Sequence, residues 1–468
     1  QNMTVPLNAY LGIANLKVRF RYLAYWGDGV AIDNVKLFGD KPLSTSFVWN
    51  APNIGIFNSN CSTPYVDGTP TASICIKPTD GQLQSIANWN ISAVATLSNG
   101  CTTTGVITVH NNNKVWDTTA STTWGATDKW LPTNEIPDIG KCVIVKKPVN
   151  LLNVDGFAKN IKIQPGGSLN IKKGRTLTVT DYIKNETTVN NEDQLVLESD
   201  ANFIQLNGTA ANSGKMTAMR EVIGLVNDPA GRKVDYVYWS SPVAGQITKG
   251  TAPGAFSPGT PPNRFFYYLE SNDRFYETGD PTFRLGRGYA VQAEANQGPF
   301  PNTAPYTKNY LFKGTPNNGD ISFNIIKSSA AVSVHGYNLV GNPYPSNIKF
   351  DELYAGNSGL IYNTAWFWNN ATYEQYQQGS SYGGNNYAVY NGTGGTPATT
   401  PSGVVYSTKV PNGIIKVGQG FLVQKKVLGT DPLNFKHFYT SGNKLRVSDT
   451  GEFFQKDATG KNRYWLSL

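Results

Sequence analysis

The sequence predicts an all-β, multidomain chain, and three observations carry that prediction. Gly 47 and Pro 27 in 468 residues, with Tyr, Phe and Trp together 12%, describe many short strands joined by turns. Helical periodicity is confined to short pieces such as Phe350-Asp-Glu-Leu-Tyr354. One pattern is also written twice between Asp235 and Lys425. The first copy reads Asp235-Tyr-Val-Tyr-Trp-Ser-Ser-Pro242, Arg264-Phe-Phe-Tyr-Tyr268 and Leu285-Gly-Arg-Gly-Tyr-Ala-Val-Gln292. The second reads Tyr337-Asn-Leu-Val-Gly-Asn-Pro343, Ala365-Trp-Phe-Trp368 and Val417-Gly-Gln-Gly-Phe-Leu-Val-Gln424. Each copy is a strand ending in small or amide residues and Pro, then an aromatic strand, then Gly-x-Gly-aromatic-x-Val-Gln. The repeat predicts a duplicated β-sandwich whose halves bury their hydrophobic faces against each other.

Residues 1–44 contain Leu16-Lys-Val-Arg-Phe-Arg-Tyr22, whose alternation puts Val18, Phe20 and Tyr22 on one face of a half-buried strand. A Gly turn and a second strand follow in Tyr25-Trp-Gly-Asp-Gly-Val-Ala-Ile-Asp-Asn-Val-Lys-Leu37. So few strands make no stable sheet alone. With Gln1 at the start, this reads as a processed or truncated piece. Asp28 and Asp33 suit turn and strand-end positions better than a calcium site, which needs more acidic ligands.

Residues 45–112 carry strand signals at Ser46-Phe-Val-Trp49, Ala72-Ser-Ile-Cys-Ile-Lys77, Ser92-Ala-Val-Ala-Thr96 and Thr104-Gly-Val-Ile-Thr-Val109, separated by Asp67-Gly and Asn99-Gly turns. Their spacing predicts a small sandwich. One disulfide among Cys61, Cys75 and Cys101 is expected, with Cys61 to Cys101 favoured and the other pairings open; Cys142 stands apart.

Residues 113–215 hold short strands with apolar residues at alternate positions, from Cys142-Val-Ile-Val145 to Asn202-Phe-Ile-Gln-Leu206. That predicts a few rungs of β-solenoid, each burying its inward face on the next. Solenoids of this kind also carry polysaccharide lyases. Here the acidic residues Asp155, Asp181, Glu186, Glu192, Asp193, Glu198 and Asp200 do not recur at one rung position, which argues against that chemistry.

Residues 216–441 form the duplicated domain. Gly286-x-Gly288 and Gly418-x-Gly420 imitate the start of a phosphate loop, but Val291 and Val423 stand where the third Gly belongs and the flanks favour strand. A Gly turn entering a core strand is the reading adopted. Glu270, Asp273, Glu277 and Asp280 surround a hairpin turn; a carboxylate pair in a cleft would hydrolyse glycosides, whereas a solvated turn is the simpler account. Between Tyr362 and Tyr390, aromatic residues alternate with Asn and Gln, a composition suited to stacking on sugar rings. The candidates are Trp366 and Trp368, for which core packing competes, and Tyr382, Tyr387 and Tyr390, expected to be exposed.

Charged residues are only 15% and the net charge of +8 is dispersed, unlike the clustered footprint of a nucleic-acid binder. No apolar run approaches a membrane span of about 20 residues. His110, His335 and His437 fall in different modules, so neither a triad nor a zinc site is predicted, and no metal or cofactor is expected.

Several stretches resemble known families. Ala31-Ile-Asp-Asn-Val35 resembles the ending of jelly rolls of the MAM or carbohydrate-binding type, and Ser98-Asn-Gly-Cys-Thr-Thr-Thr-Gly-Val-Ile-Thr-Val109 resembles immunoglobulin-like or PKD-like spacers. From Trp116 onward, the two copies, with Leu339-Val-Gly-Asn-Pro-Tyr-Pro345, resemble large secreted proteins of Bacteroidota exported by the type IX secretion system. The resemblance implies a non-enzymatic, adhesin-like protein at the outer-membrane surface that binds a glycan or other surface ligand. The alternative is a set of accessory modules of a secreted carbohydrate-active enzyme. It further implies that residues 442–468 begin a C-terminal sorting domain recognised by the translocon and an outer-membrane shuttle barrel. The alternating Tyr464, Leu466 and Leu468 would dock there. Asp117-Thr118-Thr119 resembles the O-glycosylation site of the same phylum, with Thr118 as acceptor.

Overall fold

The computed structural model describes residues 46–96, 100–188, 191–225, 236–251, 254–294, 306–330, 335–369, 387–398, 410–437 and 444–450, together with Lys17. The strands assigned to residues 1–44, and Tyr382, Tyr464, Leu466 and Leu468, lie outside this set. The described chain is all-β, built from several sheets and a solenoid of about three turns. None of its helices is long and apolar enough to cross a membrane.

The first unit is a small sandwich. Its larger sheet orders Val48–Asn50, Asn88–Thr96 and Thr102–His110, all antiparallel. Alternation along the central strand turns Trp89 and Ile91 inward, where they meet Ala51, Ile54 and the hairpin Gly55–Asn58 with Ile74–Lys77. The helix Asp80–Ser85 starts where Thr79 and Gln82 form a reciprocal capping box. The disulfide joins Cys61 to Cys75, not to Cys101. Cys75 sits opposite Phe57 in the hairpin, just ahead of the turn that carries Cys61, which brings the two Cα atoms within 5.2 Å. Cys101 is exposed beside the other sheet.

The solenoid follows the period-2 pattern closely. Cys142–Val145, Asn160–Ile163 and Ile183–Asn185 stack in parallel on one face. Pro148–Leu151, Ser168–Ile171 and Leu195–Leu197 stack on the second, and Gly156–Ala158, Thr176–Val179 and Asn202–Gln205 on the third. In-step registers place Val143 on Ile161, Val149 on Leu169 and Leu169 on Leu195, all of them buried. Each such aliphatic side chain contributes about 1.5–3 kcal/mol of burial. Trp116, Trp124 and Trp130 close the open end with edge-on contacts of 5.0 and 4.8 Å between ring centroids.

At its other end the solenoid is not closed. Met216–Leu225 pairs in parallel with Leu195–Leu197 and antiparallel with Tyr306–Pro316, so one solenoid face continues into the duplicated region and a single buried core spans Trp116 to Val417. An ion cluster fastens the same joint. Asp200 contacts the buried Arg220 at 2.8 Å and Lys416 of the second copy at 3.0 Å. Burial works to raise the Asp200 carboxyl, but the two cations overcome it and hold the group well below the usual carboxylate range. His437 is wedged against Gly208 with Nε2 2.7 Å from the Leu206 carbonyl; burial is the main cause of its lowered pKa.

The last described strand, Arg446–Val447, changes the boundary expected at 442. It pairs with Asn347–Lys349, Leu445 is fully buried, and Arg446, 3% exposed, donates to the Phe203 carbonyl, Ser346 and Asn318 while stacking on Tyr344. Residues 444–447 therefore complete the core of the second copy instead of opening a separate unit. Ending the chain at Ser441 will lower its unfolding free energy relative to ending it at Thr450 by at least about 3 kcal/mol, the scale of removing one buried Leu plus a buried hydrogen-bonded cation. Urea melts of the two truncations check this; equal midpoints would contradict it.

Candidate functional site

The two copies fold into the same sheet in the same register. In the first, the order is Tyr236–Trp239, Tyr289–Gln292, Phe265–Leu269 and Arg274–Glu277. In the second it is Tyr337–Gly341, Gly420–Lys425, Ile361–Trp368 and Tyr387–Tyr390, followed by Gly395–Thr396. Tyr236 faces Gln292 as Tyr337 faces Gln424; Phe266 faces Ala290 as Trp366 faces Leu422; Phe275 faces Tyr268 as Tyr387 faces Trp368.

The copies exchange main-chain contacts at their Gly-x-Gly turns. The end of each opening strand bridges the middle residue of the other copy's turn, Trp239 to Gln419 and Val340 to Arg287. Ser240 N donates to the Gly418 carbonyl (3.0 Å) and, in the equivalent place, Gly341 N donates to the Gly286 carbonyl (3.1 Å). Gly286 and Gly418 have φ of 73° and 78°, the left-handed conformation that the turn requires of both. Gly288 and Gly420 serve close approach: a Cβ would stand 2.6 Å from the Val340 carbonyl oxygen, or 2.9 Å from the Tyr238 carbonyl carbon. The small residue ending each opening strand is explained as well, because Ser240 and Gly341 meet each other.

Pairing in register fixes which side chains share a face. Val237, Trp239, Phe265, Tyr289 and Val291 enter the solenoid-side core; Val340, Ala365, Phe367, Phe421 and Val423 enter a second core. The opposite faces of both sheets join in one aromatic cluster. Tyr238, Ala290, Leu339 and Leu422 are buried at its centre, with half-buried Tyr236, Phe266, Tyr268, Phe275, Trp366, Trp368 and Tyr387 around them. Tyr238 crosses between the copies, stacking on Trp368 at 5.7 Å and sharing a 2.8 Å hydroxyl hydrogen bond with Tyr387.

Three of the predicted aromatic residues, Trp366, Trp368 and Tyr387, thus come together, packed yet partly open to solvent. Tyr390 does not join them. Alternation in Tyr387–Tyr390 turns it inward, where it is 7% exposed, touches Phe350 and donates to Asp351 at 3.0 Å. Burial and that carboxylate push its phenol up to about 12. Thr118 is half-buried and accepts from Ala120 N, and the neighbouring Asp117 accepts from Gln84 of the sandwich.

The hairpin turn is solvated at Asp273 and Glu277, as its composition leads one to expect, but Glu270 and Asp280 are buried at its two ends. Glu270 is 3% exposed and accepts from Ser328 N and Gly336 N. Asp280 is also buried, held by Arg284, Arg287 and the Tyr289 hydroxyl at 2.7–2.9 Å. Burial opposes its ionisation, yet the hydroxyl and guanidiniums keep its carboxyl below the ordinary range. Asp273 accepts from the Tyr268 hydroxyl, and Glu277 pairs with Lys249. Each carboxylate is committed to a different partner. Among the described residues no cluster of His, Cys, Asp or Glu is placed to hold a metal ion.

Sequence reasoning missed the first copy's share of the face, Tyr236, Tyr238, Phe266, Tyr268 and Phe275. The signal was available: aligning the two copies places Phe266 and Tyr268 at the positions of Trp366 and Trp368.

Fold and face together define a β-solenoid fused to a duplicated, interlocked pair of sheets. The family model described as a domain of unknown function (DUF8693) matches residues 115–468, and the chain belongs to that family. No curated protein and no solved structure matches it. The match begins at the tryptophan-capped end of the solenoid and leaves the sandwich outside. Replacing Gly420 with Ala, which forces a methyl against the Tyr238 backbone, will cost about 1–3 kcal/mol and weaken the near-UV circular dichroism of the aromatic face. Gly279→Ala, with open space at its Cβ, is the control; equal stability of the two variants would refute the interlock.

Proposed function

We propose that this chain belongs to an exported, adhesin-like surface protein of the type IX kind, with the interlocked sheets presenting an aromatic face to a glycan. The observation that carries the reading is the convergence of half-buried rings from both copies, Trp366, Trp368 and Tyr387 beside Phe266, Tyr268 and Phe275, on one face. Partly exposed rings offer apolar surfaces to the C–H faces of sugars, and fixed rings lose little entropy on binding. The solenoid supports this face as a stiff platform rooted in a shared core. Cys61–Cys75 suits an oxidising environment outside the cytoplasm. Sorting through the C-terminal residues and passage through an outer-membrane shuttle barrel belong to the same proposal.

Titration calorimetry against a broad polysaccharide panel tests the ligand. At least one glycan will bind, and Trp368→Ala or Tyr387→Ala will weaken it about 3- to 10-fold, the worth of one aromatic contact. Tyr276→Ala, an exposed ring on the opposite face, will leave affinity unchanged. No binding anywhere on the panel, or equal affinity in all three variants, overturns the glycan reading; turnover of a polysaccharide replaces it with an enzymatic one. Protease shaving of intact source cells will release solenoid peptides, and their complete protection would overturn the surface assignment.

A further inference from the structure

The second copy meets the last rung of the solenoid along a seam from Asn202 to Ala210, and one histidine is built into it. Phe203 N donates to the Pro345 carbonyl at 2.7 Å, and Asn347 N donates to the Asn202 side chain at 2.8 Å. The Asn318 amide donates to the carbonyls of Asn207 and Ala210, both at 2.9 Å. His437, two residues beyond the strand Gly429–Phe435, belongs to the same seam. It is 7% exposed and packs on Gly208, where a Cβ would stand 3.0 Å from the imidazole. Its main-chain N donates to Asp320 at 2.7 Å.

This geometry fixes where the ring's protons go. Nε2 stands 2.7 Å from the Leu206 carbonyl oxygen, which can only accept, so Nε2 carries the one proton of the neutral imidazole. A second proton must go to Nδ1, which is buried. The surroundings oppose the charge that it would bring. Burial acts first, and Arg446 and Lys444 are close enough to repel a positive ring; Asp320 favours one but is outweighed, so the pKa is lowered. Lys436, the preceding residue, is exposed and also cationic, while residues 438–443 carry no charged side chain. On the solenoid side, Asp181 is bonded to the Asn207 amide at 3.1 Å.

We propose that His437 is an acid-sensitive latch: while neutral it seats the second copy on the last solenoid rung, and protonation at Nδ1 unseats it. The direction follows from linkage. A histidine whose folded pKa is lowered contributes stability that is complete above its unfolded value of about 6.5, and that stability is lost as pH falls below this value. Histidine is the side chain that ordinarily titrates between about pH 5 and 8, and the other two lie away from the seam, His110 at the end of a sandwich strand and His335 beside Glu270. The nearby ion cluster does not share the response. Burial notwithstanding, Arg220 and Lys416 hold the Asp200 carboxyl well below the usual range, so it keeps its charge throughout that window. The joint therefore loosens at His437 while its ionic fastening stays in place.

Native-state hydrogen exchange of the whole chain at about pH 7.5 and about pH 5 tests the latch at the Phe203 and Asn347 amides, which donate across the seam. Corrected for the intrinsic pH dependence of exchange, their opening equilibrium will rise at least about 5-fold on acidification in wild type. His437→Gln keeps a side-chain donor for the Leu206 carbonyl but does not titrate, and its rise will stay under about 2-fold. His335→Gln will behave as wild type, and circular dichroism will confirm that both variants are folded. An NMR titration of wild type supplies a reading that needs no variant: the His437 ring will titrate at lower pH in the folded chain than in the urea-unfolded one. Equal titration in the two states, an opening equilibrium in wild type that acid leaves unchanged, or an equal rise in wild type and His437→Gln overturns the proposal.

Discussion

The reciprocal exchange between the two Gly-x-Gly turns is the constraint on which the duplicated region depends. Each copy alone would leave its opening strand as an exposed sheet edge. The fold solves both problems with one contact made twice: Trp239 takes Gln419 as neighbour, and Val340 takes Arg287. Since the contacts are main chain to main chain, they demand small residues in both partners. The repeated motif therefore reads as a docking rule written into each copy. Its first glycine turns the chain, its second admits the other copy's backbone, and the small residue ending the opening strand lets Ser240 and Gly341 touch.

From that exchange the rest of the arrangement follows. Once the two sheets are joined, their outward faces merge around Tyr238, which stacks on Trp368 of the other copy. Their inward faces are served by two cores, one of which is continuous with the solenoid through Met216–Leu225. The Asp200, Arg220 and Lys416 cluster crosses the same joint. Removing one member would strand a buried charge, so it fixes alignment more than it adds net stability. The buried Arg446, bound to acceptors from three segments including Phe203 of the last rung, ties the chain's last described strand back to the solenoid.

Much of this architecture was legible in the sequence because it rests on period 2 and on repetition. Val143 and Val145 announce an inward face, and Trp366 and Trp368 share a face because they are two apart. What escaped depends on contacts distant in the chain or on strand phase. Tyr387 and Tyr390 are three apart in one strand, so only one can look outward, and the strand's phase is set by pairing with Ile361–Trp368. Cys61 and Cys75 meet because a hairpin folds back, which spacing alone does not reveal. Glu270 reads as a surface carboxylate until the Ser328 and Gly336 amides, more than fifty residues away in the chain, are brought to it.

Native-state hydrogen exchange at Ser240, Gly288 and Gly341 tests the interlock most directly, because these three amides donate across the two copies, to Gly418, Leu339 and Gly286. If the interlock holds the region together, they will exchange only through the same global opening as Val143 and Ile161 in the solenoid core, with the same dependence on denaturant. Exchange of the three through a low-energy opening, while ladders within each copy stay protected, would mean that the copies merely lie side by side.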